Sequence, residues 1–417
     1  MLRSFNHYRF KGEPGLDMSI HEVVLKPASE IGSGKVSRFD LPDGKTRIYG
    51  ISTFCPDLIG PGPTNLYLIE NESLVLVDAG IPTHLAKAFF YQWRNQPMPE
   101  EVEALAPDHS ERELLEGIKL TGRSLSDIDK LVISHGHPDH FLMARFVVEH
   151  SSATVAAHVL ESPQMCNPWG ILNMWLSRQS QMTATGMPKA WAGNESARDE
   201  LYRGLDLNSL GLTVGIDSPL FKEGPLEVEG CDTDIEIKHL PGHSPGSVGL
   251  IVGPVGGEKA LVCGDVLLDP ITPHPDDLLV YLQSLEKLDV LEDIQVVLPA
   301  HGGVIADLKE RVAFLRQHHK NRLKLTYEIC SEPRSVWDVA TTKGYFETYV
   351  NPAKFNYLAG TEALVHMELL RMVDGLERCR IVDGVHYFKK SEYGFEEIYG
   401  RITEIVSDAE NKTIMRY

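Results

Sequence analysis

Short apolar runs recur along the chain, and several of them stop at an aspartate or a histidine. The stretch TNLYLIENESLVLVDAGI, residues 64 to 81, reads as two strands about an Asn-Glu turn, the second running from Leu74 to Val77 and ending at Asp78. DKLVISH predicts a strand that enters a histidine cluster, FLMARFVVEH a helix that leaves it, and ATVAAH the next strand. Further on, IEIKHLPGH, VGLIV, KALVCGD and QVVLPAHG each predict a short strand, and three of the four carry Asp or His at the C-terminal end. Ligands at several strand ends converge on one rim of a sheet, so the pattern predicts two sheets with helices outside.

Between ATVAAH and IEIKHLPGH the character changes. Trp169, Trp175 and Trp191 fall there with Met165, Met174, Met182 and Met187. Soft, large apolar side chains suit an irregular small core or an adaptable pocket wall, and residues 159–220 are expected to form a helical cap over the site. From about Val312 the pattern turns helical: AFLRQHHKNRLKLTYEI, then segments around VWDVA and TEALVHMELLRMV. LERCRIVDGVHYFKK closes it with two alternating runs about Asp383-Gly384, a hairpin signal. Helices followed by a hairpin predict a winged-helix-like C-terminal domain over 312–417, after a first domain over 1–311.

Composition narrows the picture. A chain of 417 residues exceeds one ordinary core. With 42% hydrophobic and 24% charged residues it reads as soluble and globular, and no apolar run approaches bilayer-spanning length. The first residues, MLRSFNHYRFKGEPG, lack a secretory apolar stretch, and the six cysteines are scattered without a CxxC pair. Both point to reduced thiols and a cytoplasmic location. A net charge of -19 works against polyanionic partners. From Glu332 to Glu392, eight Lys and Arg face nine Asp and Glu, which is no funnel for nucleic acid. A packing or homodimerising role suits that domain better.

The chemistry concentrates in LVISHGHPDHF, residues 131 to 141. His135 and His137 stand two apart at a strand end, so both imidazoles can face one side and bind one ion. His243 in LPGHSPGS, held in a tight Pro- and Gly-flanked loop, supplies a third imidazole and leaves a position open for water. Asp139 and His140 follow Pro138 at a helix start and face a second location, to which LPAHGG adds His301. Asp265 of LVCGDVLL can bridge two cations and offset their repulsion. His274 follows Asp265 on the rim and is expected to touch substrate or to stand behind a ligand. His84, His158, His239, His318, His319 and His366 are expected to be structural.

Taken in order, VDAG, SHGHPDH, PGHSPGS, CGD and PAHG resemble the five motifs of the metallo-β-lactamase superfamily, over about residues 45 to 310. The resemblance implies an α/β fold, an αββα sandwich, over the 1–311 hydrolase domain. It places ligand roles on His135, His137, Asp139, His140, His243, Asp265 and His301, and makes Asp78 a structural residue near the metals. Zinc β-lactamases of the best-known class carry a cysteine where Asp265 stands; Cys263 misses that position by two and is expected in the core, which argues against antibiotic hydrolysis. Flavin-linked diiron proteins carry Glu where this chain has His137. The pattern is similar to hydrolases of the glyoxalase II type, and the C-terminal domain resembles a branch of them that includes polyketide thioesterases and a ribonuclease. The implied activity is a dinuclear, metal-dependent hydrolysis of an acyl thioester or activated ester of a small organic acid by a metal-bound hydroxide. Asp139 would orient the water or accept its proton. Two divalent ions are expected; zinc suits the imidazole-rich set best, and iron or manganese fits it too. Lactonase, nuclease and iron-dependent sulfur oxygenase are the alternatives on the same fold.

Overall fold

The computed structural model describes residues 19–56, 62–88, 91, 97–167, 170, 182, 184–188, 213–231 and 233–408. Two sheets carry the N-terminal part. The first runs in chain order: β1 (Glu22–Lys26), β2 (Val36–Asp40), β3 (Arg47–Thr53), β4 (Thr64–Glu70), β5 (Leu74–Val77), β6 (Lys130–Ile133), β7 (Thr154–His158) and β8 (Ser218–Leu220). Its pairs are antiparallel as far as β5 and parallel from β5 to β8. The second contains β9 (Gly224–Pro225), β10 (Ile235–His239), β11 (Val248–Val252), β12 (Lys259–Val262) and β13 (Ile294–Leu298), in the order β13-β12-β11-β10-β9. There only β12 and β13 are parallel.

The apolar runs are continuous because these strands are covered on both faces. With a side-chain period of two, Val75 and Val77 of β5 and Val132 of β6 face the second sheet, where Ile237, Leu250, Val262 and Leu298 meet them. Leu74, Leu76, Leu131 and Ile133 face the other way, onto the helices His109–Leu120 and Ala144–Glu149. On the far side of the second sheet, Leu261 and Val297 pack against the helices Leu278–Asp289 and Leu308–Ile329. The layers are helix, sheet, sheet, helix, the αββα sandwich. Each fully buried aliphatic side chain contributes roughly 1.5–3 kcal/mol of burial, and a Val132→Asp substitution would put an unpaired charge between the sheets.

The C-terminal part begins on a helix that the sandwich also uses. Leu308–Ile329 starts where the Asp307 carboxylate accepts from the Glu310 N–H at 2.9 Å, so the expected boundary at 312 falls inside it. Val336–Ala340 starts at a capping box of Ser335 and Asp338, and Tyr357–Met372 at Asn356, whose side chain accepts from Ala359. The hairpin of β14 (Leu376–Val382) and β15 (Val385–Lys390) turns at Asp383 and Gly384, both with positive φ, as a tight two-residue turn requires. A further helix, Phe395–Ser407, follows it, which the sequence reading did not contain. Leu315, Leu323, Met367, Leu370 and Ile398 join Leu261 and Val297 in one continuous core.

Of the 159–220 segment the described residues are its two ends and a few between. Val159–Glu161 is a single 3-10 turn, Ser162–Met165 one turn of helix, and Ser218–Leu220 is β8, so the expected helical cap ends as an edge strand of the first sheet. Ala184 and Thr185 accept backbone hydrogen bonds from His386 and Trp337, tying this segment to the C-terminal part. Trp169, Trp175, Trp191 and Met174 lie outside the described residues. Among the described residues no helix is long and apolar enough to cross a membrane.

Candidate metal centre

Five strand ends deliver the site. Asp78 follows β5, His135 follows β6, and β10, β12 and β13 lead into His243, Asp265 and His301. The helical turn Pro138–Phe141 carries Asp139 and His140, with Pro138 at its first position, where a missing N–H costs nothing. Close approach of the backbone fixes two of these loops. A Cβ on Gly242, whose φ is 126°, would lie 2.4 Å from the Tyr281 backbone. One on Gly264 would lie 2.8 Å from Ser134 Oγ. Only glycine lets His243 and Asp265 sit where they do.

The side chains form two adjoining groups. In the first, His135 Nε2 lies 2.9 Å from His137 Nδ1, and His243 Nε2 lies 3.2 and 3.0 Å from those two atoms. Donors of a tetrahedral zinc at the usual ~2.0–2.1 Å stand roughly 3.3 Å apart, so this triangle has the spacing of three ligands on one ion. In the second, Asp139, His140 and His301 converge: His301 Nε2 is 3.3 Å from Asp139 Oδ2, and His140 Nε2 is 3.9 Å from Oδ1. Asp265 stands between the groups. Its Oδ2 lies 3.5 Å from His243 Nε2 and 3.6 Å from His140 Nε2, and its Oδ1 lies 3.5 Å from His301 Nε2. That is the position of a bridging carboxylate.

What orients each ring is on its far side. Asp78 Oδ2 meets His140 Nδ1 at 2.8 Å, Ser134 Oγ meets His135 Nδ1 at 3.1 Å, and the carbonyls of His274 and Pro63 meet the Nδ1 atoms of His243 and His301 at 2.8 and 3.1 Å. With Nδ1 so engaged, Nε2 is the atom turned inward; His137 alone presents Nδ1. Asp78 also accepts from Ser134 N–H at 2.7 Å and Ser134 Oγ at 2.8 Å, and it holds this place at φ 63°, a strained value for a residue with a side chain.

The fit to a cation rests on atoms without partners. His140 Nε2, His301 Nε2 and Asp265 Oδ1 are buried and make no hydrogen bond. Buried polar atoms are normally paired, and here the three point at one another's neighbourhood. The charges agree with this. Burial alone would lower His140, yet the carboxylates of Asp265, Asp78 and Asp139 hold it well above the ordinary imidazole value. Burial likewise opposes Asp265, which His301 and His140 keep well below the usual carboxylate range. His135 goes down through burial and then through His140, His137 and His243, which leaves a neutral imidazole ready to ligate. A cation would replace the protons on His140 and His301 that otherwise balance these acids. His137 and Asp139 are the partly exposed members and mark the open side.

All seven expected ligand residues and Asp78 therefore meet in one place. His274 reaches the site through its backbone carbonyl, while its ring pairs with Thr361 Oγ1 at 2.7 Å and Leu358 O at 3.1 Å on the Tyr357–Met372 helix. Cys263 is fully buried, its thiol pushed up to about 12 by burial. His158 and His239 stack at 4.0 Å. Three contributors escaped the sequence reading. Ser134 was adjacent to a recognised ligand; Cys55, whose Sγ lies 3.9 Å from Asp139 Oδ2, sits in no motif. Glu161 accepts hydrogen bonds from both ligand loops, and its only trace in the sequence is the pair of glycines that make room for it.

Residues 59–301 match the family model described as the metallo-beta-lactamase superfamily, more than half of the chain. The probable metallo-hydrolase YqjP of Bacillus subtilis (strain 168) is 24% identical over 281 residues, covering 64% of this chain and 76% of that protein. A crystal structure of a metallo-beta-lactamase family protein from Thermus thermophilus has a TM-score of 0.61 at 21% identity, covering 82% of this chain and 98% of the other. A beta-lactamase domain protein from Burkholderia ambifaria reaches 0.62 at 20% identity, over 88% of this chain and 95% of the other. Since residues 1–311 make up only about three quarters of the chain, a likeness of that extent takes in part of the C-terminal helices as well.

Proposed function

The chain belongs to the metallo-beta-lactamase superfamily, and from that premise we propose that it is a dinuclear metallohydrolase cleaving an acyl thioester or another activated ester of a small organic acid. One observation carries the reading: a triangle of three imidazoles beside two ring nitrogens, of His140 and His301, and the Oδ1 of the intervening Asp265, which are buried without hydrogen-bond partners. His135, His137 and His243 would hold one ion, Asp139, His140 and His301 the other, and Asp265 both; zinc suits the set best, with iron or manganese next. Divalent ions there would lower the pKa of water to about 7 and polarise a carbonyl.

The chain's own groups do the rest. Asp139, 14% exposed on the open side, would orient the attacking water and take its proton. Asp78 and the carbonyls of His274 and Pro63 fix the ring orientations, so no reorganisation is needed during the reaction. The hydrolysis balances as water plus acyl ester giving acid plus thiol or alcohol, with the proton passing from water toward the leaving group. The acidic balance of the chain supports a small acyl substrate over a phosphodiester polymer.

The test is thiol release from a panel of CoA and glutathione thioesters by zinc-, manganese- and iron-loaded protein, with Asp265→Asn as control. Metal-dependent release that the variant loses is the expected result. Silence across the panel with metals bound would overturn the thioester reading, and lactones, phosphodiesters and a persulfide with oxygen uptake would then be tried.

A further inference from the structure

We propose that Glu161 is a positioning residue that holds the two ligand loops against each other. The inference rests on the functional reading above.

Glu161 closes the 3-10 turn directly after β7 and is 1% exposed. One carboxylate oxygen, Oε2, accepts the N–H of Gly136 at 2.9 Å. The other, Oε1, accepts the N–H of Gly246 at 2.6 Å and Ser244 Oγ at 2.7 Å. Gly136 lies between His135 and His137, on a loop of the first sheet; Ser244 follows His243, on a loop of the second. The two oxygens of one side chain thus divide between the loops that supply the three imidazoles.

The surrounding sequence is fitted to this carboxylate. A Cβ at Gly136 would come within 2.6 Å of Oε2, and one at Gly246 within 2.7 Å of the Glu161 Cγ. The glycines of SHGHPDH and PGHSPGS are therefore needed for the space Glu161 takes, beyond any turn they make. The group sits there at a cost: burial pushes its carboxyl up and Asp276 adds to this, while its three donors pull the other way. A buried carboxylate stabilised by hydrogen bonds alone is a costly way to fill space. Its effect is to fix the distance between two loops that must hold donor atoms about 3 Å apart.

Glu161→Gln tests this with little change of volume. An amide accepts on its oxygen only, so its NH2 must face the N–H of Gly136 or of Gly246 and leave that group without an acceptor. The readout is zinc affinity by competition with a chromophoric chelator, alongside the visible spectrum of cobalt-loaded protein and the melting point of metal-free protein. The expected result is a roughly 10- to 100-fold loss of zinc affinity, the range for partners that orient ligands, with an altered cobalt spectrum and a metal-free melting point close to that of the unaltered chain. Unchanged affinity and spectrum overturn the proposal, and a lower melting point with unchanged affinity does so too, since it marks a structural buttress. Should Glu161→Ala fail to fold, the Gln variant still decides. Unaltered protein that takes up no zinc would overturn the metal reading itself, an outcome visible before any variant is made.

Discussion

One cluster of histidines stands on the sheet rims and another between the helices Leu308–Ile329 and Tyr357–Met372. In the C-terminal nest His319 stacks on His366 at 5.2 Å, the two rings share a hydrogen bond of 3.1 Å, and His366 Nδ1 turns back to the Glu362 carbonyl at 2.6 Å. Three potential ligand atoms, from His318, His319 and Glu362, lie within 4.8 Å of one another there. Yet His318 and His319 are consecutive and project about 100° apart around their helix. At the rim the rings are held from outside, by a carboxylate, a hydroxyl and two carbonyls, and their second nitrogens are turned inward together. Among the described residues, three buried atoms lack partners at the rim, against His319 Nε2 in the nest. The difference teaches that a histidine cluster becomes a ligand set through what binds the far nitrogen of each ring. In the C-terminal nest His319 Nδ1 and His366 Nε2 are spent on each other across opposite ring positions, and His319 Nε2 is the one ring nitrogen there among the described residues that is buried without a partner.

The largest effect should come from setting the two nests side by side. His301→Ala removes one of the inward nitrogens, and bound metal should fall by about one equivalent with activity lost by more than about 100-fold, beyond the range for outer partners. His319→Leu should leave the metal content unchanged. Metal analysis of both variants decides it, and equal losses would erase the distinction. Next in size, Asp78→Asn keeps the shape but weakens the hold on His140 Nδ1, and a roughly 10- to 100-fold loss of metal affinity is expected. An unaltered affinity would mean that ring orientation is fixed elsewhere.

Much of the rim was legible in the sequence because its residues stand at strand ends, and strands of unbroken apolar residues announce their own boundaries. Val77 to Asp78, Ile133 to His135 and Val262 to Asp265 are such boundaries. The partition into His135, His137 and His243 on one side and Asp139, His140 and His301 on the other was legible from the same strand ends, and the distances follow it. Glu161 was not legible: it has a single acidic residue's signature, and its meaning depends on two loops that are 110 residues apart in number, Gly136 and Gly246. The last helix, Phe395–Ser407, was lost because its apolar face, Phe395, Ile398, Ile402 and Val406, follows the hairpin too closely to be separated by periodicity alone. The 159–220 segment read as a helical cap, but β8 completes the first sheet from its last residues, a tertiary pairing with β7 that three residues of sequence cannot signal.

Acid should act on the C-terminal nest in a defined sense. Burial, then Arg322, His366 and Arg311, lower His318 to about 4 against the opposing pull of Glu362, and burial also lowers His319 and His366. Unfolded, these groups regain the ordinary value of about 6.5, so below that pH the unfolded chain binds more protons than the folded one and stability falls. The loss from His318 runs from pH 6.5 down to about 4 and then levels off, since both states are protonated below that point. On the order of 2 kcal/mol is expected over the window. Melting of metal-free protein across this range, compared with His318→Asn, should give a shallower slope in the variant. The other histidines contribute equally to both proteins, and identical slopes would show that His318 does not carry the acid response.

The smallest effect tests whether the C-terminal part is a support only. Ser335 Oγ accepts from the Asp338 N–H at 3.1 Å, and Asp338 answers at 2.9 Å on the Ser335 N–H, so Ser335→Ala removes one half of the capping box of Val336–Ala340. Loss of such a cap costs about 1 kcal/mol. The same short helix reaches the 159–220 segment: the Trp337 N–H donates to Thr185 O at 2.9 Å. Metal affinity should therefore be unchanged while the melting point falls slightly. If the variant also shifts the KM ratio between long and short acyl substrates, then the C-terminal helices set specificity through Thr185 and its neighbours. An unchanged ratio with the same loss of stability confines them to packing against the second sheet.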